Sequence, residues 1–282
     1  MRVITISTDR YTRGEEIAER VAQKMGYKCV SREVILSTAE ALGVPEMKLM
    51  RTIKDPPTIL KMFSRDRKRY MAYIRSVVAN YMLEHDIVYH GFVGNPIIRG
   101  VSHILKVRII ANLEDRIRLE MERENVSEEK ARKIIANMDE QQKKWGNAVY
   151  GIDITNPAFY DLVINVGHIG ADDNQDAVDT IVNTAGHKKY QQNTYSINCM
   201  KNIALSCQIE ATLIDEYPGI EVICDKGNIC LYSKALKRKN HKQVLALKEE
   251  IMKIDGVEHV EVFGEKEMFN ECTIGTRPKS ES

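Results

Sequence analysis

The residues best placed to do chemistry lie in the first turn of the chain. "VITISTDRYTRGEEIAERVAQKMGYK" (residues 3–28) runs from an apolar strand, Val3 to Ser7, through a polar turn into a helix. The helix carries apolar residues at Ile17, Ala18, Val21 and Met25. Strand, turn and helix in this order frame many phosphate sites, because turn amides and the positive helix end converge on an anion. Yet the turn "STDRYTRGEE" holds one glycine, Gly14, and no Gly-Lys-Ser/Thr. Thr12 can offer a hydroxyl there, and Arg10 or Arg13 a guanidinium, which binds phosphate well. His90, beside Gly91, has a reference pKa suited to acid–base work. No Ser or Cys nucleophile with an identifiable base accompanies it, so it reads as a core or rim histidine.

Two basic stretches stand out. "SRDRKRYMAYIR" places Arg65, Arg67, Lys68, Arg69 and Arg75 around a helix start, and "KALKRKNHK" places Lys234, Lys237, Arg238, Lys239 and Lys242 before another. Each reads as a solvated face, although the second could meet phospholipid headgroups or nucleic acid. The six cysteines form no CxxC pair and no zinc-finger cluster. They read as small buried hydrophobes or free thiols, with Cys224 and Cys230 a redox pair at most. Net charge is +1, so bulk electrostatics favours neither nucleic acid nor an anionic membrane. With no run of about 18 apolar residues and no signal peptide in view, the expectation is a cytoplasmic protein that does not cross a membrane.

The elements that must position these residues fall into two regions. Up to residue 185, strands "VITIS", "DIVYHGFVG", "ILKVRIIA" and "YDLVINV" alternate with helices over 14–25, from Arg32 to Gly43, 65–84, along the charged stretch after Leu113, and over "NQDAVDTIVNTA". That alternation predicts a parallel sheet covered on both faces. Between the helix that ends at Gly43 and helix 65–84 lies an arm broken by Pro56-Pro57. Residues 186–196 are polar and read as a linker. Residues 197–264 read α-β-β-α-β, with a hairpin turning at Lys226-Gly227-Asn228 and helices over 199–216 and 241–253. Residues 265–282 read as a tail.

Residues 1–185 resemble the cytidylate kinase-like family, a branch of the P-loop nucleoside monophosphate kinases. The opening, "GYKCVSREVI", "VYHGFVG", the run from "LKVRIIANLEDR" to "KIIANMDE", and "YGIDITNPAFYDLVIN" match its pieces in order. The remaining third resembles the BON module, a small domain associated with lipids or other small ligands, through "YPGIEVICDKGNICLYS" and "IDGVEHVEVF". The resemblance implies an α/β, parallel-sheet P-loop nucleoside monophosphate kinase-like domain plus a small α+β BON-like domain. It also implies ATP and Mg as cofactors wherever nucleotide binding is retained, with no resident metal ligated by the chain itself.

The departures from the family pattern matter more. Its first two loop glycines fall at Tyr11 and Arg13, residues that resist positive φ at a cost of about 1 kcal/mol or more. The Asp of its "DREII" segment is Ser31, the Arg of its strand motif is Phe92, and its lid arginines fall near Gln142 and Asn147. Lys143 and Lys144 are the remaining lid cations. Arg32, Glu33, Arg116, Arg123, Asp139, Tyr160 and Asp161 stand at matching positions. The candidate set is therefore Arg10, Thr12, Arg13, Gly14, Arg32 and Asp161 for nucleotide or phosphate, and Lys143, Lys144, Arg116 and Arg123 for catalysis. The expected function is a nucleotide-binding or regulatory pseudokinase whose small domain contacts a lipid, small-ligand or protein partner. The alternatives are an active CMP/dCMP-type kinase transferring the ATP γ-phosphate, and a scaffold without nucleotide affinity.

Overall fold

Val3, Ile4 and Ile6 of strand β1 (Val3–Thr8) are all buried, as a strand covered on both faces requires. The computed structural model describes residues 2–9, 12–43, 45, 47, 65–91, 98, 100–167, 174–238 and 241–264; for residues 32, 33, 35, 148, 149, 237 and 238 it describes the backbone alone. The proline-broken arm, the tail and Lys239 lie outside the described residues. Strands β1, β2 (Lys28–Val30), β3 (Ile87–His90), β4 (Ile104–Ile110) and β5 (Leu162–Asn165) form one sheet in the order β2-β3-β1-β4-β5. Every pairing in it is parallel.

Its helices are α1 (Gly14–Met25), α2 (Arg32–Leu42), α3 (Arg65–Glu84), α4 (Leu113–Glu124), α5 (Glu128–Tyr150) and α6 (Gln175–Ala185). Local chemistry sets their ends. Gly43 ends α2 at φ 60, its amide returning to the carbonyls of Ala39 and Glu40. Asn125 ends α4 at φ 50, and the Ser127 side chain accepts from the Lys130 amide to start α5. Among the described residues no helix is long and apolar enough to cross a membrane.

Strand alternation gives the sheet two unlike faces. Ile4, Ile6, Val88, Leu105, Val107 and Ile109 pack against α1 and α6. Val3, Ile87, Tyr89 and Ile104 face α3 and Trp145. On this second face the same alternation continues as Thr5 and Ser7 on β1 and as Lys106 and Arg108 on β4, so it turns polar toward the carboxyl ends of the strands. Thr5, Ser7 and Arg108 are buried all the same.

Helix α7 (Thr194–Leu213), strands β6 (Glu221–Asp225) and β7 (Asn228–Tyr232), helix α8 (His241–Ile251) and strand β8 (His259–Phe263) follow. Lys226 and Gly227, at φ 50 and φ 83, close the hairpin with the paired positive φ that such two-residue turns favour. β8 adds parallel to β7. Helix α7 starts earlier than residue 199, because Asn193 and Ser196 form a capping box inside the polar stretch 186–196. That stretch also holds a 3-10 turn at Lys188–Tyr190 and buries Tyr190 against the α1 side of the sheet.

Helix α7 belongs to two cores. Met200, Ala204 and Cys207 pack with Met71, Ile74 and Val78 of α3, while Ile209 and Leu213 pack with Ile229 and Leu231 of the hairpin. The basic stretch on α3 reinforces this joint and is not simply solvated. Arg65 donates to the Asp215 carbonyl, Arg69 Nε lies 3.1 Å from the Asp215 carboxylate, and Arg75 pairs with Glu210. The redox pair is excluded by register: Cys224 opposes Ile229 and Cys230 opposes Ile223, so the two thiols project to opposite faces of the hairpin. Both are free.

Candidate functional site

The loop from Thr8 to Gly14 joins the carboxyl end of β1 to the amino end of α1, the position where an open parallel sheet places its ligands. Gly14 is required for that turn, since a Cβ there would lie 2.0 Å from Thr8 Cγ2. Arg13 stands at φ 51, ψ 29, in the left-handed region that glycine takes without strain. Thr12 is buried, and its hydroxyl donates to the Asp9 carbonyl at 2.8 Å, closing the loop on itself. Glu15 and Glu16 occupy the first turn of α1, where they already complement the helix dipole.

Beneath this loop lie two buried arginines, each held by a carboxylate. Arg108, 4% exposed, donates through Nη2 to Asp9 Oδ1 at 2.5 Å and through Nη1 to the Ile154 carbonyl at 3.2 Å. Its guanidinium stacks over the Tyr160 ring at 5.6 Å, and the Tyr160 hydroxyl donates to the Ile154 carbonyl at 2.6 Å. Arg116 grips Asp139 in a bidentate pair at 2.9 and 2.6 Å. Burial raises the Asp9 carboxyl above the ordinary carboxylate range, Arg108 and Arg116 draw it back down, and the Asp139 charge adds to the rise. The two arginine–carboxylate pairs therefore share one electrostatic neighbourhood. Gln142 joins them from α5, donating to the Thr8 carbonyl at 3.4 Å.

His90 ends β3 beside the loop, with Nε2 3.3 Å from Thr8 Oγ1. Burial lowers its pKa, against an opposing pull from Glu15. The unfolded chain binds a proton near pH 6.5 where the folded chain resists one. Stability from the neutral ring is thus complete above that value and is lost as pH falls below it. Thermal melts should show a steeper loss of Tm between pH 7.5 and 5.5 in the wild type than in His90→Gln; equal slopes would refute this.

The candidates land unequally around the loop. Thr12, Arg13 and Gly14 form the end of the loop and Arg116 is close enough to act on the Asp9 charge, while Arg10 lies outside the described residues and the Arg32 side chain is not described. Lys143 pairs with Asp153 at 2.8 Å, and with Thr155 it holds that carboxyl at about 2. Lys144 pairs with Glu140 at 2.6 Å on the solvent side of its own helix. Arg123 is exposed beside Glu124, two turns and about 10 Å along α4 from Arg116. Asp161 opens β5, accepting from the Lys106 amide at 3.0 Å and from Lys189 at 3.1 Å. Asp9 and Arg108 were missed as site residues. The available signal was the pair of cations, Lys106 and Arg108, alternating through an otherwise apolar strand.

Residues 3–168 match the model of the cytidylate kinase-like family. A cytidylate kinase of Thermococcus kodakarensis is 26% identical over 171 residues, covering 60% of this chain and 82% of that protein. Among solved structures, an uncharacterized protein from Eubacterium ventriosum superposes with TM-score 0.49 at 18% identity, over 66% of this chain and 98% of that one. Shikimate kinase from Bacteroides thetaiotaomicron gives TM-score 0.41 at 8% identity, over 65% and 95%. A family match that runs through the loop, both arginine–carboxylate pairs and all five parallel strands spans more than half of the sequence, and the chain belongs to the cytidylate kinase-like family.

Proposed function

We propose that this chain is a pseudokinase: a cytidylate kinase-like fold kept for nucleotide binding or regulation, without efficient phosphoryl transfer. The observation that carries this reading is that charge at the head of the sheet is neutralised internally. The phosphoryl groups of a nucleotide need unspent cationic and N–H donors converging on them. Here Arg108 is engaged by Asp9, Arg116 by Asp139 and Lys143 by Asp153. The loop adds the Asp9 carboxylate, and its Thr12 hydroxyl is directed at the Asp9 carbonyl. These residues do not fit a magnesium triphosphate. The α-β-β-α-β region after residue 197 resembles the BON module, and we assign to it the contact with a lipid, small ligand or protein partner.

Arg13 favours a second reading. Its left-handed backbone keeps the loop shape that a glycine would give, and among the described residues its guanidinium makes no ion pair. On that reading the chain is an active CMP/dCMP-type kinase, with ATP and Mg over Thr12–Gly14. A coupled assay with CMP and dCMP separates the two. Turnover should stay well below the range of about 1–100 s⁻¹ usual for kinases, and a value inside that range would establish the active enzyme. In parallel, within a panel of ATP, CTP and CMP, CMP, which brings no triphosphate to the loop, should raise the Tm, since a ligand at about 100 times its Kd adds about 2.7 kcal/mol. The absence of any shift would instead favour a scaffold without nucleotide affinity.

A further inference from the structure

Where α7 meets β6, α3 and the end of α5, the surface opens into a groove of about 390 Å³. Three consecutive residues, Val222, Ile223 and Cys224, line it, so it follows the edge of β6 and not one of its faces. β6 is an outer strand of the order β6-β7-β8. A two-residue turn makes Asp225 and Asn228 a hydrogen-bonded pair, and by alternation Glu221, Ile223 and Asp225 direct their main-chain groups to β7. The N–H and C=O groups of Val222 and Cys224 therefore point outward along the groove. Among the described residues no main-chain group takes them up.

The opposite wall has further unused hydrogen-bonding capacity. The Ser206 side chain is half-buried and makes no hydrogen bond among the described residues. Arg75 Nε is buried without a partner among them, although its terminal nitrogen holds Glu210. Charge is balanced, because that ion pair supplies one of each sign. Burial pushes the Cys207 thiol up to about 12 and raises that of Cys224, so both stay protonated near neutrality. The groove thus has apolar walls at Ile203 and Ile223, no net charge, no nucleophile, and adjacent donors and acceptors along a strand edge. The groove is open to solvent along its length, so a ring with substituents can lie in it with one side exposed.

We propose that this groove binds a small uncharged molecule with an amide-type edge, N–H beside C=O, as in a lactam, cyclic dipeptide or nucleobase. That edge lies along Val222–Cys224, and the remainder lies against Ile203 and Ser206. The site is separate from the Thr8–Gly14 loop and does not depend on whether the kinase chemistry survives.

The test uses the full chain, with amide NMR titrations of caprolactam, uracil and cyclo(Gly-Leu) to about 10 mM, a range suited to fragments of this size. The expected result is saturable shifts at the amides of Val222 and Cys224. Val222→Pro deletes one outward N–H while sparing the bonds to β7, a substitution that outer strands accept. It should weaken binding roughly 10-fold, and Ser206→Ala by several-fold. Ser206→Leu, which fills the groove without touching the strand, should abolish binding and keeps the question decidable if the proline variant does not fold. No saturable shift at 222–224 would overturn the proposal. So would unchanged affinity in Ser206→Ala and Ser206→Leu, or shifts confined to residues 8–14.

Discussion

Arg108→Met should destabilise the protein by about 3–5 kcal/mol, the usual cost of removing one partner from a buried ion pair. Methionine fills much of the arginine stem's volume, so packing is largely conserved and the loss is mainly electrostatic. It leaves the Asp9 carboxylate without the bond it accepts at 2.5 Å, and the Ile154 carbonyl without the donor at 3.2 Å. Adding Asp9→Asn should return a substantial part of the loss, because the stranded charge goes with it. Urea denaturation of the single and double variants measures this directly, the non-additivity giving the coupling. A single-variant cost under about 1 kcal/mol would show that the pair is solvated and that the head of the sheet is not internally neutralised.

Met200→Ala should cost about 2–5 kcal/mol, the range for large-to-small changes at fully buried sites. Met200 lies beyond the family-matched residues yet is fully buried among Met71, Ile74 and Val78 of α3. The single tryptophan, Trp145, lies in the same core cluster, so its fluorescence reports on the parallel-sheet region. If α7 is shared by both cores, truncating this one side chain moves the Trp145 transition by the full amount. A Trp145 transition that stays in place would mean that α7 contributes only to the small sheet.

Most of the parallel-sheet region was legible because its signals are local. The helix end at Gly43 and the Lys226-Gly227 turn each lie within a few residues of what they control. The resemblance to the cytidylate kinase-like family identified the loop, and the loop is where the resemblance placed it. The site's partners were not legible, since they are long-range. Asp9 and Arg108 are 99 residues apart, and Arg116 and Asp139 were identified separately, with nothing local to say that they face each other. From sequence alone the arginines of α3 look solvated for the same reason, because Glu210 and Asp215 reach them only once α7 has docked. The start of α7 was misplaced because its capping box sits in residues whose polarity resembles a connector.

The left-handed backbone of Arg13 has a consequence for how this protein can change over generations. Every arginine codon is a single nucleotide away from a glycine codon, and glycine would relieve roughly 1–2 kcal/mol of backbone strain at that position. The contour of the loop is therefore held by a residue ill suited to it, one mutational step from the residue that suits it best. The Asp9–Arg108 pair ties two positions together, so a change at either one alone strands the other buried charge, whereas glycine at position 13 would act on a single residue.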